Sequence, residues 1–283
     1  MIKRIIVPLD ESKYSENAVK TACQIAKIHD SEVTGLVVID TIGISKSVGP
    51  IPLGGAYYGK KLEESKTEKE KEKIDQLLKC FKSICSQEGV RHREHKRQGL
   101  PSEKILEQSL FHDLIVIGMK TYYKYNIEGK PGNSFIEIMD HSITPILVVP
   151  KNYTLPEISK TKSINVLIAF DGSLPSCRAI QRFAQLPVSE FADIQILMSH
   201  SHEKYAEHYL SDAKEFLICH GFSRVRTCYT RNEIIKDLED NYMEWTDLFV
   251  LGMHSRRVLL DFFVGSLASY LIMQDKKYIF FGQ

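Results

Sequence analysis

Short apolar runs alternate with longer amphipathic stretches along the whole chain. In the first half the runs cover 2–9, 32–39, 90–96, 114–117 and 146–149, and we predict a strand at each. Their near-continuous apolar character indicates strands covered on both faces, which is typical of parallel sheets. Helical periodicity follows at 15–29 and again at 176–185. The pattern predicts an α/β fold with open parallel sheets and helices on both faces.

The chain repeats its own sequence. KRIIVPLDES at 3–12 returns as INVLIAFDGS at 164–173, and DLIVIGMK at 113–120 returns as DLFVLGMH at 247–254. A Gly and Ser, a helical stretch and an apolar run follow in both copies. Three matched segments in the same order indicate a tandem duplication. We therefore predict a first domain over 1–150, a linker over 151–163 and a second domain over 164–283.

The two copies differ in length between these landmarks. The additional residues of the first copy fall mainly after its second strand, where a Gly/Pro-rich stretch precedes a charged helix start. We predict an inserted loop at 41–66 that forms a mobile flap near the first site. The stretch 54–60 approaches a P-loop motif, but it lacks the Ser or Thr after the lysine and a preceding strand.

Composition narrows the class of protein. The chain is 43% hydrophobic and carries a net charge of +1, so it lacks the basic excess of a typical nucleic-acid binder. Its six cysteines form no CxxC pair and no zinc-like spacing with histidine. No apolar stretch approaches the ~18 residues that span a bilayer, and the first apolar run is too short for a signal peptide. We predict a cytoplasmic protein that binds neither nucleic acid nor membrane.

The candidate site lies where the strands end. Asp10 and Asp171 end the first strand of each copy, and Gly118 and Gly252 end the fourth. In an open parallel sheet, ligands bind beyond the carboxyl ends of the strands where the winding reverses. Glycines that precede a helix start let backbone N–H groups approach phosphate oxygens. The second copy has such a loop between Gly252 and a helix that begins at 265–266.

These motifs resemble those of the universal stress proteins. That family has a first strand ending in Asp, often Asp-Gly-Ser, and a loop Gly-x2-Gly-x9-Gly followed by Ser or Thr. Residues 164–283 resemble such a module with Ser255 at the second glycine position, and residues 1–150 resemble one with Thr121 there and a loop one residue longer. The resemblance implies a five-stranded, Rossmann-like parallel sheet in each copy. It also implies that an Asp and a second-strand Val hold adenosine.

The resemblance assigns ligand contacts residue by residue. In the first copy it implies that Asp10 and Val38 contact adenosine and that Gly118, Gly132, Asn133 and Ser134 contact phosphate. In the second copy it implies contacts from Asp171, Gly252, Ser255, Gly265 and Ser266, while Ser199 and His200 replace the apolar pair of the second strand. The expected ligand is ATP or another adenine nucleotide, with or without Mg²⁺. Which copy binds the nucleotide is left open.

The predicted function is that of a stress-response protein whose bound nucleotide controls an unknown protein partner. A scaffold with vestigial nucleotide sites and a slow ATP-hydrolysing enzyme are the alternatives, and no catalytic residue or metal ligand is predicted. In single-module relatives, fifth strands pair between protomers. The fifth strands here, 145–149 and 278–281, are apolar and free of charge, and such edges aggregate when exposed. We predict that they pair in an intramolecular pseudo-dimer, and a further homodimer is left open.

Overall fold

The computed structural model describes residues 2–48, 56–120, 133–154, 156, 163–186, 191–253 and 266–283. They form two compact units, Lys3–Ser142 and Ile143–Gln283, and the second unit also includes Ile2. The fifth strand of the first copy is therefore counted with the second unit. The linker at 151–163 stays a prediction.

The unit Lys3–Ser142 contains a parallel sheet flanked by helices. Its strands are β1 (Arg4–Pro8), β2 (Glu32–Ile39), β3 (His92–Gln98) and β4 (Leu114–Gly118), in the order β3-β2-β1-β4. Its helices are α1 (Lys13–His29), α2 (Thr41–Val48), α3 (Ala56–Gln87), α4 (Pro101–Ser109) and α5 (Asn133–His141). β1, β2 and β4 are buried along most or all of their length, as their continuous apolar sequences predict.

The unit Ile143–Gln283 contains a mostly parallel sheet. Its strands are β5 (Ile146–Val149), β6 (Ile164–Ala169), β7 (Ala192–Ser199), β8 (Arg224–Thr230), β9 (Leu248–Gly252) and β10 (Tyr278–Gly282), in the order β5-β10-β9-β6-β7-β8. Its helices are α6 (Leu174–Ala184), α7 (Glu203–Cys219), α8 (Ile234–Asn241) and α9 (Ser266–Gln274). Among the described strands of this unit, only β5 runs antiparallel to its neighbour.

The same backbone ladder is present in both copies. The N–H of Leu9 donates to the carbonyl of Leu36 over 2.8 Å, and the N–H of Phe170 donates to that of Leu197 over 2.9 Å. The order of strands also matches, with β1 between β2 and β4 and β6 between β7 and β9. The duplication is thus structural, and it makes Ser199 the counterpart of Val38 and Gly252 the counterpart of Gly118.

The fifth strands pair with each other, which confirms the expected pairing. β5 and β10 align antiparallel with Ile279 opposite Val148 and Phe281 opposite Ile146. All four side chains are fully buried. The pairing removes two apolar strand edges that would otherwise favour association between chains.

The insertion of the first copy is helical at both of its described ends, whereas we predicted a loop over 41–66. A side-chain oxygen of Asp40 accepts from the N–H of Gly43 over 2.7 Å, which supports the start of α2. The ammonium group of Lys66 donates to the carbonyl of Ser47 over 3.1 Å and connects α3 to α2. Alternating Glu and Lys residues in α3 favour helix through pairs such as Glu68 and Lys71. The mobility of this segment stays a prediction.

No helix among the described residues is long and apolar enough to span a membrane.

Candidate functional site

The Asp171 carboxylate lies at the carboxyl end of β6 and is exposed to solvent. Its Oδ1 accepts from the N–H of Ser173 over 2.9 Å. The intervening Gly172 has a φ of +75°, a conformation that only glycine adopts readily. The hydroxyl of Ser173 then accepts from the N–H of Ser176 over 3.4 Å and caps α6. The turn holds the carboxylate outward at the mouth of the sheet.

A cavity of about 300 Å³ opens beside this carboxylate. It lies at the carboxyl ends of β6, β7 and β9 and at the first turns of α6, α8 and α9, which is where the winding of this half reverses. The predicted residues Asp171 and Gly252 both line it, together with Ser199. The other lining residues are Ala169, Phe170, Ser176, Ile234, Leu251, Leu267 and Ala268. One polar edge and an apolar interior are the usual properties of a small-molecule site.

Ser199 gives the cavity a defined polarity. Its hydroxyl donates to the carbonyl of Asn232 over 2.7 Å. A serine hydroxyl has one proton and two lone pairs, so this bond uses the only proton and leaves acceptor capacity. The wall of the cavity at this position therefore favours a ligand N–H or O–H donor. Val38 offers no such group at the equivalent position of the first copy.

Gly252 is required by close packing. A Cβ at this residue would lie 2.4 Å from the carbonyl carbon of Pro175 and 2.4 Å from the N of Ser176. The end of β9 thus touches the backbone of the first turn of α6. Because real Cβ contacts are much longer, a side chain at Gly252 would separate the two elements and deform the cavity.

An aromatic stack lies beside the turn at Gly172, and the sequence reasoning missed it. The ring centroids of His200 and Tyr205 are 4.6 Å apart, as are those of Tyr205 and Tyr209. Atoms of Tyr205 and Tyr209 lie 3.6 and 3.5 Å from a Cβ built on Gly172. The available signal was the spacing of the two tyrosines by four residues, which places them on one face of a helix.

The Cys177 thiol lies in the first part of α6, close to this turn. Its partial burial raises its pKa, and the nearby negative charge of Asp171 acts in the same direction. The thiol therefore stays protonated at neutral pH and behaves as a packing group.

Asp10, the counterpart of Asp171, is buried, with only 5% of its surface exposed. Its Oδ1 accepts from the hydroxyl of Ser12 over 2.6 Å, from the hydroxyl of Ser15 over 2.7 Å and from the N–H of Ser12 over 3.1 Å. The cavity that it lines measures about 230 Å³ and is otherwise bounded by its own loop and by α1 and α3. Val38 and Gly118 are not among the residues that line it.

One residue within this turn differs between the copies. Glu11 occupies the position of Gly172, and among the described non-glycine residues only Asp30 and Asp275 have positive φ. In both copies the Asp Oδ1 accepts from the N–H of the serine two residues later, but the intervening residue has a positive φ only at Gly172. The Asp10 carboxylate also accepts from the hydroxyl of Ser15, in the first turn of α1.

The predicted phosphate contacts lie largely outside the described residues. This applies to Gly132, Ser255 and Gly265, and to Thr121 in the first loop. Asn133 and Ser266 begin α5 and α9, but their side chains are outside the described part of the chain. Ser134 is half-buried in the first turn of α5. These contacts stay predictions.

Within the described ranges, no group of three or more His, Cys, Asp or Glu residues is placed to hold a metal ion.

A doubly wound sheet that occurs twice, with a ligand-sized cavity at the strand ends of one copy, defines an α/β protein of the Rossmann-like class. The profile of the universal stress protein family matches residues 1–150. The chain therefore belongs to the universal stress protein family, as its motifs predicted.

Known proteins support this assignment. The chain is 32% identical to a universal stress protein of Methanocaldococcus jannaschii over 154 residues, which covers 53% of this chain and 84% of the relative. A universal stress protein of Synechocystis is 26% identical over 152 residues, covering 53% of this chain and 87% of the relative. The crystal structure of a universal stress protein from Archaeoglobus fulgidus covers 98% of this chain and 94% of its own, with a TM-score of 0.71 and 16% identity. The fold is therefore shared over nearly the whole length.

Proposed function

We propose that the protein binds an adenine nucleotide in the cavity at the carboxyl ends of β6, β7 and β9. The observation that carries this proposal is that Asp171, Ser199 and Gly252, which are far apart in sequence, line one cavity of about 300 Å³. This size is at the lower end of the range for small-molecule sites. The membership of the chain in the universal stress protein family supports the same ligand class.

The chemistry of the cavity matches the three parts of a nucleotide. The exposed Asp171 carboxylate is an acceptor suited to the paired hydroxyls of a ribose. The side chains of Ile234 and Leu251 give the interior an apolar surface on which a base can lie. Leu267 and Ala268 belong to the first turn of α9, and the N-terminus of a helix favours an anionic group such as phosphate.

The acceptor on Ser199 favours a base that carries an amino group. Adenine has an exocyclic amine, whereas hypoxanthine has a carbonyl at the same position and would face the serine lone pairs unfavourably. We infer that the nucleotide is an adenine nucleotide and that its occupancy regulates a protein partner of the chain. The first copy is the weaker candidate, because its Asp10 carboxylate is already bonded to Ser12 and Ser15.

Titration of the purified full-length chain with ATP, ADP and AMP, followed by native mass spectrometry and calorimetry, tests the proposal. Asp171→Ala should weaken binding about tenfold or more, because a hydrogen bond to a charged group contributes about 1.5–3 kcal/mol. The matched control is Asp212→Ala, which removes an exposed carboxylate of α7 that pairs only weakly with His208 at 3.7 Å. Ser199→Ala should reduce the preference for AMP over IMP. Absence of uptake at millimolar nucleotide would reject the proposal and favour a scaffold with vestigial sites.

A further inference from the structure

Two buried cysteines face each other in the unit Lys3–Ser142, away from the proposed nucleotide cavity. Cys23 lies on α1 and Cys85 lies on α3, and their sulfur atoms are 3.7 Å apart. Both residues are 0% exposed. The two thiols share one S–H···S hydrogen bond, although 62 residues of chain separate them.

Two ion pairs flank the part of the structure that contains the two cysteines. At one end of the contact, Lys73 of α3 forms an ion pair with Glu11 over 3.1 Å. At the other end, Lys27 of α1 forms an ion pair with Glu88, just beyond α3. The cysteines lie between these two connections. A disulfide requires the two sulfur atoms to approach from 3.7 Å to about 2.05 Å.

The environment makes the two thiols unequal. The hydrogen bond from Cys85 lowers the pKa of Cys23, and burial and the charge of Glu88 oppose this effect. The same hydrogen bond, together with burial, raises the pKa of Cys85. Cys23 is thus the better nucleophile, and Cys85 is the thiol that resolves the first product.

A cavity lies close to the pair along the chain, although neither cysteine lines it. The cavity of about 230 Å³ between α1 and α3 is lined by Val19, one helical turn before Cys23, and by Ile84, the neighbour of Cys85. Because the sulfurs themselves are covered, only a small and uncharged reagent can reach them through brief opening of this contact. Bulky or charged thiol reagents are excluded.

We propose that Cys23 and Cys85 form a redox site that hydrogen peroxide converts to a disulfide between α1 and α3. The Cys23 sulfur attacks one peroxide oxygen, so that an S–O bond forms, the O–O bond breaks and one water leaves. The Cys85 sulfur then attacks the sulfenic sulfur, so that the S–S bond forms, the S–O bond breaks and a second water leaves. Overall, two thiols lose two electrons and two protons, and one peroxide becomes two waters.

Tryptic cleavage sites separate Cys23, Cys80 and Cys85 into different peptides, so the disulfide can be tested in the reduced, full-length protein. Trypsin cleaves after Lys20, Lys27, Lys79, Lys82 and Arg91. Cys23 therefore lies in peptide 21–27, Cys85 in peptide 83–91 and the exposed Cys80 in peptide 80–82. After peroxide treatment and alkylation in denaturant, non-reducing digestion should give the 21–27/83–91 crosslink. The intact mass should fall by about 2 Da, and dithiothreitol should reverse the change.

The matched variants are Cys80→Ser and Cys219→Ser, which remove exposed thiols and should leave the crosslink unchanged. Cys23→Ala and Cys85→Ala should each abolish it. Iodoacetate, which is charged, should label Cys80 and Cys219 of the native protein well before it labels the buried pair. The digest of the wild-type protein tests the proposed disulfide even if a variant folds poorly. If peroxide oxidises Cys80 and Cys219 while peptides 21–27 and 83–91 remain fully alkylated, or if Cys23 pairs with another cysteine, the proposal is wrong.

Discussion

At the scale of single residues, the two copies diverge through small changes at equivalent positions. Glu11 in place of Gly172 leaves the Asp10 carboxylate buried against two serines, whereas Asp171 is exposed. Val38 in place of Ser199 leaves the first copy without the hydroxyl acceptor at this position. Each change acts on the local geometry or polarity of the site and leaves the strand order intact.

A buried histidine gives the first residue-scale prediction. His112 is 8% exposed, and its ring nitrogens lie 2.8 Å from the carbonyl of Gln108 and 3.2 Å from the hydroxyl of Thr34. Burial, with a further contribution from the charge of Arg4, lowers the pKa of His112 from 6.5 to about 4. The folded state therefore prefers the neutral ring, and protonation favours unfolding. This stabilisation is fully present above the unfolded pKa and is lost as the pH falls from about 6.5 toward about 4.

We expect His112 to account for about 2 kcal/mol of the loss in unfolding free energy between about pH 7 and about pH 5. Urea denaturation at both pH values should show a smaller pH dependence for His112→Asn than for the wild type. His208→Asn changes an exposed histidine of α7 and serves as the control with wild-type behaviour. Equal pH dependence in all three proteins would contradict the assignment.

At the scale of secondary structure elements, burial on both faces decides which apolar runs become strands. β4 and β5 have no exposed residue, as their continuous apolar sequences predict. The basic strand β3 at the edge of its sheet is half-buried and uses its charges in ion pairs, such as Arg93 with Glu32 over 2.8 Å. Charged residues on an edge strand also discourage association with other chains.

The pairing of β5 with β10 gives the element-scale prediction. Ile279 lies opposite Val148 and is 0% exposed, so that Ile279→Lys would place a charge between two apolar strands. We expect a loss of about 3 kcal/mol or more in the free energy of unfolding. Ile143→Lys is the same substitution at a side chain that is 63% exposed, and it should cost less than about 0.5 kcal/mol. Similar denaturation midpoints for the two variants would show that the strand pair contributes little.

At the scale of the whole molecule, the division into compact units differs from the division into sequence copies. The first copy extends through β5, but the unit Lys3–Ser142 ends before that strand. β5 pairs with β10 and is counted with the second unit. The second unit therefore includes a strand that the first sequence copy supplies.

Cutting the chain near residue 157 tests this dependence. Fragment 1–156 retains β5, and fragment 157–283 retains β10 with its apolar edge uncovered. When co-expressed, the two fragments should copurify, and fragment 157–283 alone should aggregate because an exposed apolar edge pairs with other chains. Fragment 1–142 lacks β5 and provides the matched control, which should not copurify with 157–283. If both fragments are soluble and monomeric and do not bind each other, the prediction is wrong.

The sequence by itself determined the α/β class, the duplication and the pairing of the fifth strands. These features depend on the apolar pattern, on repeated motifs and on the absence of charge in 145–149 and 278–281, and all three are local properties of the chain. The same motifs brought Asp171 and Gly252 to one site, because the carboxyl ends of parallel strands share one edge of a sheet.

Only the tertiary structure decided which copy presents an open site. The two Asp motifs differ in sequence at Glu11 and Gly172, but only the folded chain shows that Asp10 is buried against Ser12 and Ser15 and that Asp171 is exposed. The Ser199 hydroxyl is oriented by its hydrogen bond to the carbonyl of Asn232. Cys23 and Cys85 come into contact because α1 packs against α3. Contacts between residues this far apart in sequence leave no local pattern, because they arise only when separate elements pack together.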